Sequence, residues 1–280
     1  QPMVAVAVGV LVGTAGVGVV PSRVPLSVLG DLGRLTVAFA VTSIALRLEP
    51  AYYRRHVRSL VTVLGPGMVV MWLASGAVVA VTVPVDPLVA LLIGAVLTPT
   101  DPVLANSIVV GRRARASIPA RLRNLLSAEA GINDGAAYLF VFLPLLLSIR
   151  PPAAALGDWL THTVLWGVGG GVAVGFGVGT VAGMLERRAR SRDFLEETSV
   201  FTITVALTFF VVGLATLVGT ADILAVFTAG AAYNWRADPR DEANEQRVEE
   251  VFGRLFTIPV FVVFGMARPW AQWIALGWRG

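Results

Sequence analysis

Thr98-Pro99-Thr100-Asp101-Pro102 falls in the middle of an apolar run from Pro87 to Val110, and Glu129-Ala130-Gly131-Ile132-Asn133-Asp134-Gly135 falls inside the next run. A helix needs about 20 mostly apolar residues to cross a bilayer, and both runs satisfy that length. An ionisable side chain near the centre of a span costs roughly 2.5 to 3.5 kcal/mol on insertion scales. Three carboxylates in two adjacent spans therefore imply an interior lined by protein or water, the setting of ion and proton pathways.

Pro99 and Pro102 each lack a backbone donor, and each pushes the preceding residue, Thr98 or Asp101, towards extended geometry. A helix is expected to break at Thr98–Pro102, leaving about twelve residues before the break and about eight after it, each too few to span alone. Unwound backbone is tolerated at that depth where it lines a cavity, and freed carbonyls beside a carboxylate make a cation site. Thr100 and Asp101 are candidate ligands; the plainer alternative is a proline kink whose Thr-Asp pair caps its own turn.

In the following span Glu129 and Asn133 stand at i and i+4 on one helix face, with Asp134 about 100° further round. Desolvation favours a neutral carboxyl group and a bound cation favours a charged one, so a buried Asp can exchange proton for cation. Asp134 is the expected carrier, and Asn133 orients its neighbours without adding charge. A buried Glu129 calls for a cationic partner from another helix, because Arg121 and Arg123 lie roughly 12 and 9 Å down the same one.

Composition agrees with a membrane setting, since 56% of residues are hydrophobic and only 14% charged. The net charge of +4 comes from basic residues clustered between apolar runs, which excludes a continuous nucleic-acid-binding face and suits lipid head groups. Cysteine is absent, so thiolate chemistry and disulfides are excluded. No phosphate loop, zinc spacing or nucleophile elbow is present, and no cofactor is expected.

Nine segments read as spans, roughly 3–20, 32–46, 60–83, 87–110, 125–149, 159–185, 199–218, 223–233 and 255–274, of which the second and eighth are short. All 22 basic residues are Arg, and 17 of them fall in alternate connections, around Arg47–Arg58, Arg112–Arg123, Arg187–Arg192 and Arg236–Arg254. Such loops are expected on the cytoplasmic side, with Gln1 on the same side. The stretch 237–250 reads as a polar cytoplasmic linker within a single transmembrane domain covering 1–280. The chain opens at Gln1 without a Met or a basic leader, and both ends are expected to be cut.

Gly167, Gly171, Gly175, Gly179 and Gly183 recur every fourth residue, a stripe suited to close helix packing, with a dimer contact or hinge as the alternative. Asp222 reads as a helix cap, with cation access as the less plain reading. His56 and His162 are candidate pH sensors at span ends, and Trp159, Trp235, Trp270 and Trp273 are expected interfacial anchors.

Thr-Asp-Pro at Thr100 to Pro102, followed about thirty residues later by Glu-x-x-x-Asn-Asp-Gly at Glu129 to Gly135, resembles the signature pair of the NhaP/NHE type of sodium/proton antiporter within the monovalent cation/proton antiporter superfamily. Phe256 to Gly265 also resembles a recurring later segment of that family. The resemblance implies an all-α polytopic fold of inverted repeats, with a mobile core and a dimer-forming part. It implies exchange of a monovalent cation for protons by alternating access, with sodium expected ahead of potassium. Asp134 would hold the transported cation and the proton in turn, with Thr100 as a second cation ligand. Thr100 and Asp101 would form the unwound crossing, Asn133 would stabilise it, and Glu129 would be half of a structural ion pair. Asn rather than Asp before Asp134 implies electroneutral exchange.

The chain departs from the family pattern at Ala128 and Ala130, where many relatives carry Gly and Ser, so a coordinating hydroxyl is absent and ion choice stays open. In the family, the cation that pairs with Glu129 lies beyond the segment ending at Gly280, as does a second broken helix, so the 280 residues alone are not expected to transport. Two other functions were weighed. An intramembrane aspartyl protease using Asp101 and Asp134 would need motifs that flank neither residue, and a non-transporting sensor or structural subunit would keep the fold without the flux.

Overall fold

A computed structural model describes residues 2–14, 16–18, 25–101, 109, 112–190, 199–236, 257–267 and 270–275, and among them there is helix and no strand. Helix α1 covers Pro2–Val12, α2 Leu26–Arg47 and α3 Pro50–Arg55. Helix α4 is continuous over Val57–Thr82, α5 covers Pro87–Leu97, α6 Arg112–Ser117 and α7 Ala120–Ile149. Helix α8 runs over Pro152–Ala189, α9 over Ser199–Val218 and α10 over Asp222–Arg236. Two shorter helices, α11 at Ile258–Ala267 and α12 at Trp270–Ala275, complete the set.

Helix occurs in the described part of each expected segment, and the fourth leaves helical geometry at Thr98, so the number of spans is not fixed by the helices alone. Among the described residues α2, α4, α7 and α8 are long and apolar enough to cross a membrane by themselves, whereas α1, α5, α11 and the apolar part of α9 are shorter. The second segment is not short: it starts six residues earlier than its apolar pattern suggested, at Leu26. The linker 237–250 and Pro102 lie outside the described residues.

Proline and glycine decide the local shape. Helix α5 starts at Pro87, where a missing donor costs nothing, and the Asp86 carboxylate accepts the Leu88 amide at 2.8 Å. Within α4 the ring of Pro66 sits in a widened turn over Val63–Gly67, which accommodates a residue that cannot donate. Helices α4 and α5 then close on each other through glycine, since a Cβ on Gly94 would stand 2.6 Å from the backbone nitrogen of Gly76. Trp72 fastens the pair by donating to the Leu91 carbonyl at 2.8 Å.

Helix α10 lies at the centre of the packing and meets α8, α2, α9 and α7. Its residues Ala225, Val226, Ala229 and Tyr233 share one buried cluster with Ala38 of α2 and Val211 of α9. On another face Phe227 joins Val41, Ile44 and Ala128, binding α2 to α7. The Gly171, Gly175 and Gly179 part of the glycine stripe faces α10, where added Cβ atoms would strike Ala221, Ala225 and Ala229. These three glycines serve internal helix packing, while Gly167 faces Tyr138 of α7.

Candidate cation site at the helix break

The chain leaves helical geometry after α5 as the Thr98-Pro99 sequence predicts. Thr98 is fully buried and returns its hydroxyl to the Gly94 carbonyl at 2.7 Å, closing the last turn, while Thr100 and Asp101 are non-helical. The break carries Thr100 to α7. There its hydroxyl donates to Glu129 Oε2 at 2.8 Å and accepts from the Asn133 amide nitrogen at 2.7 Å.

Asn133 also donates to Glu129 Oε1 at 2.7 Å, one helical turn away. The amide orientation follows from this network, because reversing it would set a carbonyl oxygen against the Glu129 carboxylate. Glu129 and Asn133 are both buried while Thr100 is exposed, so the three form a polar knot that reaches from the bundle interior to the broken end of α5. Among the described residues no cation pairs with Glu129; neutral donors hold it instead.

Two oxygens of the neighbouring pair stay uncommitted. Asn133 Oδ1 and Asp134 Oδ2 are both buried without a hydrogen-bond partner, the condition under which a hard cation or a proton has most to offer. Asp101 is exposed. Thr100 spends its proton on Glu129 and one lone pair on Asn133, which leaves one lone pair for a cation.

Asp134 opens onto a cavity of about 210 Å³ lined by Tyr138, Phe142 and, from α10, Ala221, Asp222 and Ile223. Two glycines of the motif bring α10 this close: a Cβ on Gly135 would lie 2.6 Å from Leu224 Cβ, and one on Gly131 would lie 2.6 Å from Phe227. Asp222 is more than a cap. One of its oxygens accepts the Ile223 amide at 2.8 Å, and the other pairs with Arg34 Nε of α2 at 3.3 Å. Tyr138 and Arg34 were not singled out in the sequence; Tyr138, one turn after Asp134, had a readable helical spacing, whereas Arg34 had no local signal.

Comparison with known proteins agrees with this geometry. Residues 1–277 match the transmembrane sodium/hydrogen exchanger family. A probable Na⁺/H⁺ antiporter of Schizosaccharomyces pombe is 34% identical over 244 residues, covering 86% of this chain and 32% of that protein. The Na⁺/H⁺ antiporter of Saccharomyces cerevisiae is 32% identical over 249 residues, covering 88% and 25%. The chain thus spans a third or less of the length of these two relatives. In fold it resembles the sodium proton antiporter MjNhaP1 of Methanocaldococcus jannaschii, with a TM-score of 0.68 at 18% identity over 99% of this chain and 68% of that one. The relatives are transporters rather than enzymes, which sets aside the intramembrane protease. An interrupted helix joined to a Glu-x-x-x-Asn-Asp face, in an all-helical multi-pass membrane fold matched over nearly its whole length, places this chain in the sodium/hydrogen exchanger family.

Proposed function

We propose that this chain is the cation-handling part of a secondary active transporter that exchanges one monovalent cation, sodium in preference to potassium, for a proton by alternating access. The observation that carries the reading is Asp134, a carboxylate with a buried oxygen that has no hydrogen-bond partner, beside a helix break and open to a cavity. A proton or a cation can occupy that oxygen, and each displaces the other, which is the chemical requirement for obligatory exchange. Asn133 Oδ1 and the remaining lone pair of Thr100 supply neutral oxygens beside it, and Asp101 adds negative charge at the exposed end of the break.

In this reading Glu129 stays charged and structural, held by Thr100 and Asn133, and a cation from elsewhere in the full-length protein completes its pairing. Asn133 contributes no charge, so one carboxylate carries one charge in either direction and exchange is electroneutral. The residues form a single transmembrane domain with its Arg-rich connections in the cytoplasm, and the protein works as a homodimer surrounded by lipid. Replacing Asp134 by Asn in the full-length protein tests the assignment: exchange disappears while the protein stays in the membrane. Retained exchange would remove Asp134 from the mechanism.

A further inference from the structure

The cavity beside Asp134 contains a second carboxylate, that of Asp222, and no cation among its lining residues. The positive charge comes from behind it. Arg34 Nε pairs with Asp222 Oδ2 at 3.3 Å, while Asp222 Oδ1 is occupied by the Ile223 amide. Both oxygens of this carboxylate are thereby engaged, although it shares a cavity wall with Asp134. Arg34 is the more exposed partner, with 44% of its side chain accessible against 22% for Asp222.

We propose that Arg34 sets the cation affinity of the Asp134 cavity by holding the Asp222 carboxylate in an ion pair, acting as a positioning residue that an incoming monovalent cation must displace or share. The proposal rests on the antiport reading and adds a charge count to it. With Asp134 and Asp222 ionised and Arg34 paired, the cavity carries one net negative charge, which a single monovalent cation or a single proton neutralises. Without Arg34 the count becomes two negative charges, and without Asp222 it becomes zero. Affinity therefore moves in opposite directions when one partner or the other loses its charge.

The test measures the half-saturating concentration of Na⁺ for dissipation of an imposed pH gradient in vesicles carrying the full-length protein, with Li⁺ and K⁺ alongside. Arg34→Gln lowers it and Asp222→Asn raises it, each by roughly ten-fold, the order that one unit charge exerts across a protein cavity. The double variant Arg34→Gln/Asp222→Asn restores the original charge count and returns the value to within about three-fold. Arg34→Lys, which keeps the charge, stays near the unmodified protein.

An unshifted value in Arg34→Gln overturns the proposal, as does a shift in the same direction for both single variants, which would mark general loosening rather than charge. If Arg34→Gln fails to reach the membrane, Asp222→Asn decides: a raised value supports the ion-pair account and an unchanged one ends it. A cation response in the unmodified protein whose half-saturating concentration the single variants leave unshifted defeats this inference alone. No response to any cation in the unmodified protein defeats the antiport reading and this inference with it.

Discussion

Thr100 and Glu129, separated by 29 residues of chain, are joined by a 2.8 Å hydrogen bond, with the Asn133 amide bound to both. The break after α5 is thereby attached to one face of α7, through an exposed Thr100 and two buried residues, Glu129 and Asn133. The end of the helix is thereby held at hydrogen-bonding distance from the Glu129 carboxylate. The knot makes the site rigid on one side, while Asn133 Oδ1 and Asp134 Oδ2 remain uncommitted on the other.

Glu129→Ala removes the acceptor for two hydrogen bonds and leaves the Thr100 hydroxyl and one Asn133 N–H without a partner. Stability falls by about 2 to 3 kcal/mol, the cost of losing buried bonds to a charged group. Thermal unfolding of the full-length protein in detergent reads this as a drop of several degrees, and Glu129→Gln recovers part of it. A melting temperature equal to that of the unmodified protein would show that Glu129 carries no structural load.

Thr100→Val keeps the shape of the side chain and deletes its hydroxyl, so Glu129 Oε2 loses its donor and Asn133 loses one acceptor. Thr100→Ser keeps both. Exchange by Thr100→Val is expected to fall at least ten-fold, corresponding to about 1.4 kcal/mol or more of lost positioning, while Thr100→Ser stays within a few-fold. Equal rates for the two variants would remove the hydroxyl from the mechanism.

Much of this site is legible in the sequence, and what is not legible has a physical pattern. The break after Leu97 follows from Pro99, because a missing N–H is a local property. The shared face of Glu129 and Asn133 follows from helical periodicity, and four-residue glycine spacing signals a close helix contact on α8 without naming α10 as the partner. The neutral partners of Glu129, the Thr100 hydroxyl and the Asn133 amide, do not follow, because only tertiary packing brings Thr100 to α7. The pairing of Arg34 with Asp222 is likewise invisible to any local pattern, as only tertiary packing of α2 against α10 brings them together. The extension of α2 back to Leu26 has no apolar signal because Asp31 interrupts the pattern just before the expected start at 32.

The glycine stripe gives a contrast between neighbouring positions. A Cβ at Gly175 would collide with the Ala225 carbonyl and the Thr228 hydroxyl of α10, whereas one at Gly177 would meet nothing within 4 Å. Gly175→Ala is expected to cost about 1 to 3 kcal/mol through forced separation of the helices. Gly177→Ala is expected to be neutral or to stabilise by up to about 1 kcal/mol through helix propensity. Detergent melting of both variants checks the pair, and equal effects would contradict the packing of α8 on α10.

Asn133→Asp adds a second titratable carboxylate beside Asp134 and removes a donor from Glu129. Exchange that is electroneutral with Asn133 is expected to become sensitive to membrane potential in the variant, provided the protein survives the lost hydrogen bonds. A potential-sensitive dye in vesicles registers the change as a cation-driven signal that the unmodified protein lacks. A signal already present with Asn133 would contradict the proposed stoichiometry.

The central claim is that Asp134 binds a proton or a monovalent cation in turn. It is tested most directly with the full-length protein in inverted vesicles, by following the collapse of an imposed pH gradient on adding Na⁺, K⁺ or Li⁺, with Asp134→Ala in parallel. The account predicts collapse on adding Na⁺ and none in Asp134→Ala vesicles that contain the same amount of protein. Collapse that persists in Asp134→Ala, or a gradient that no cation disturbs in the unmodified protein, would contradict it.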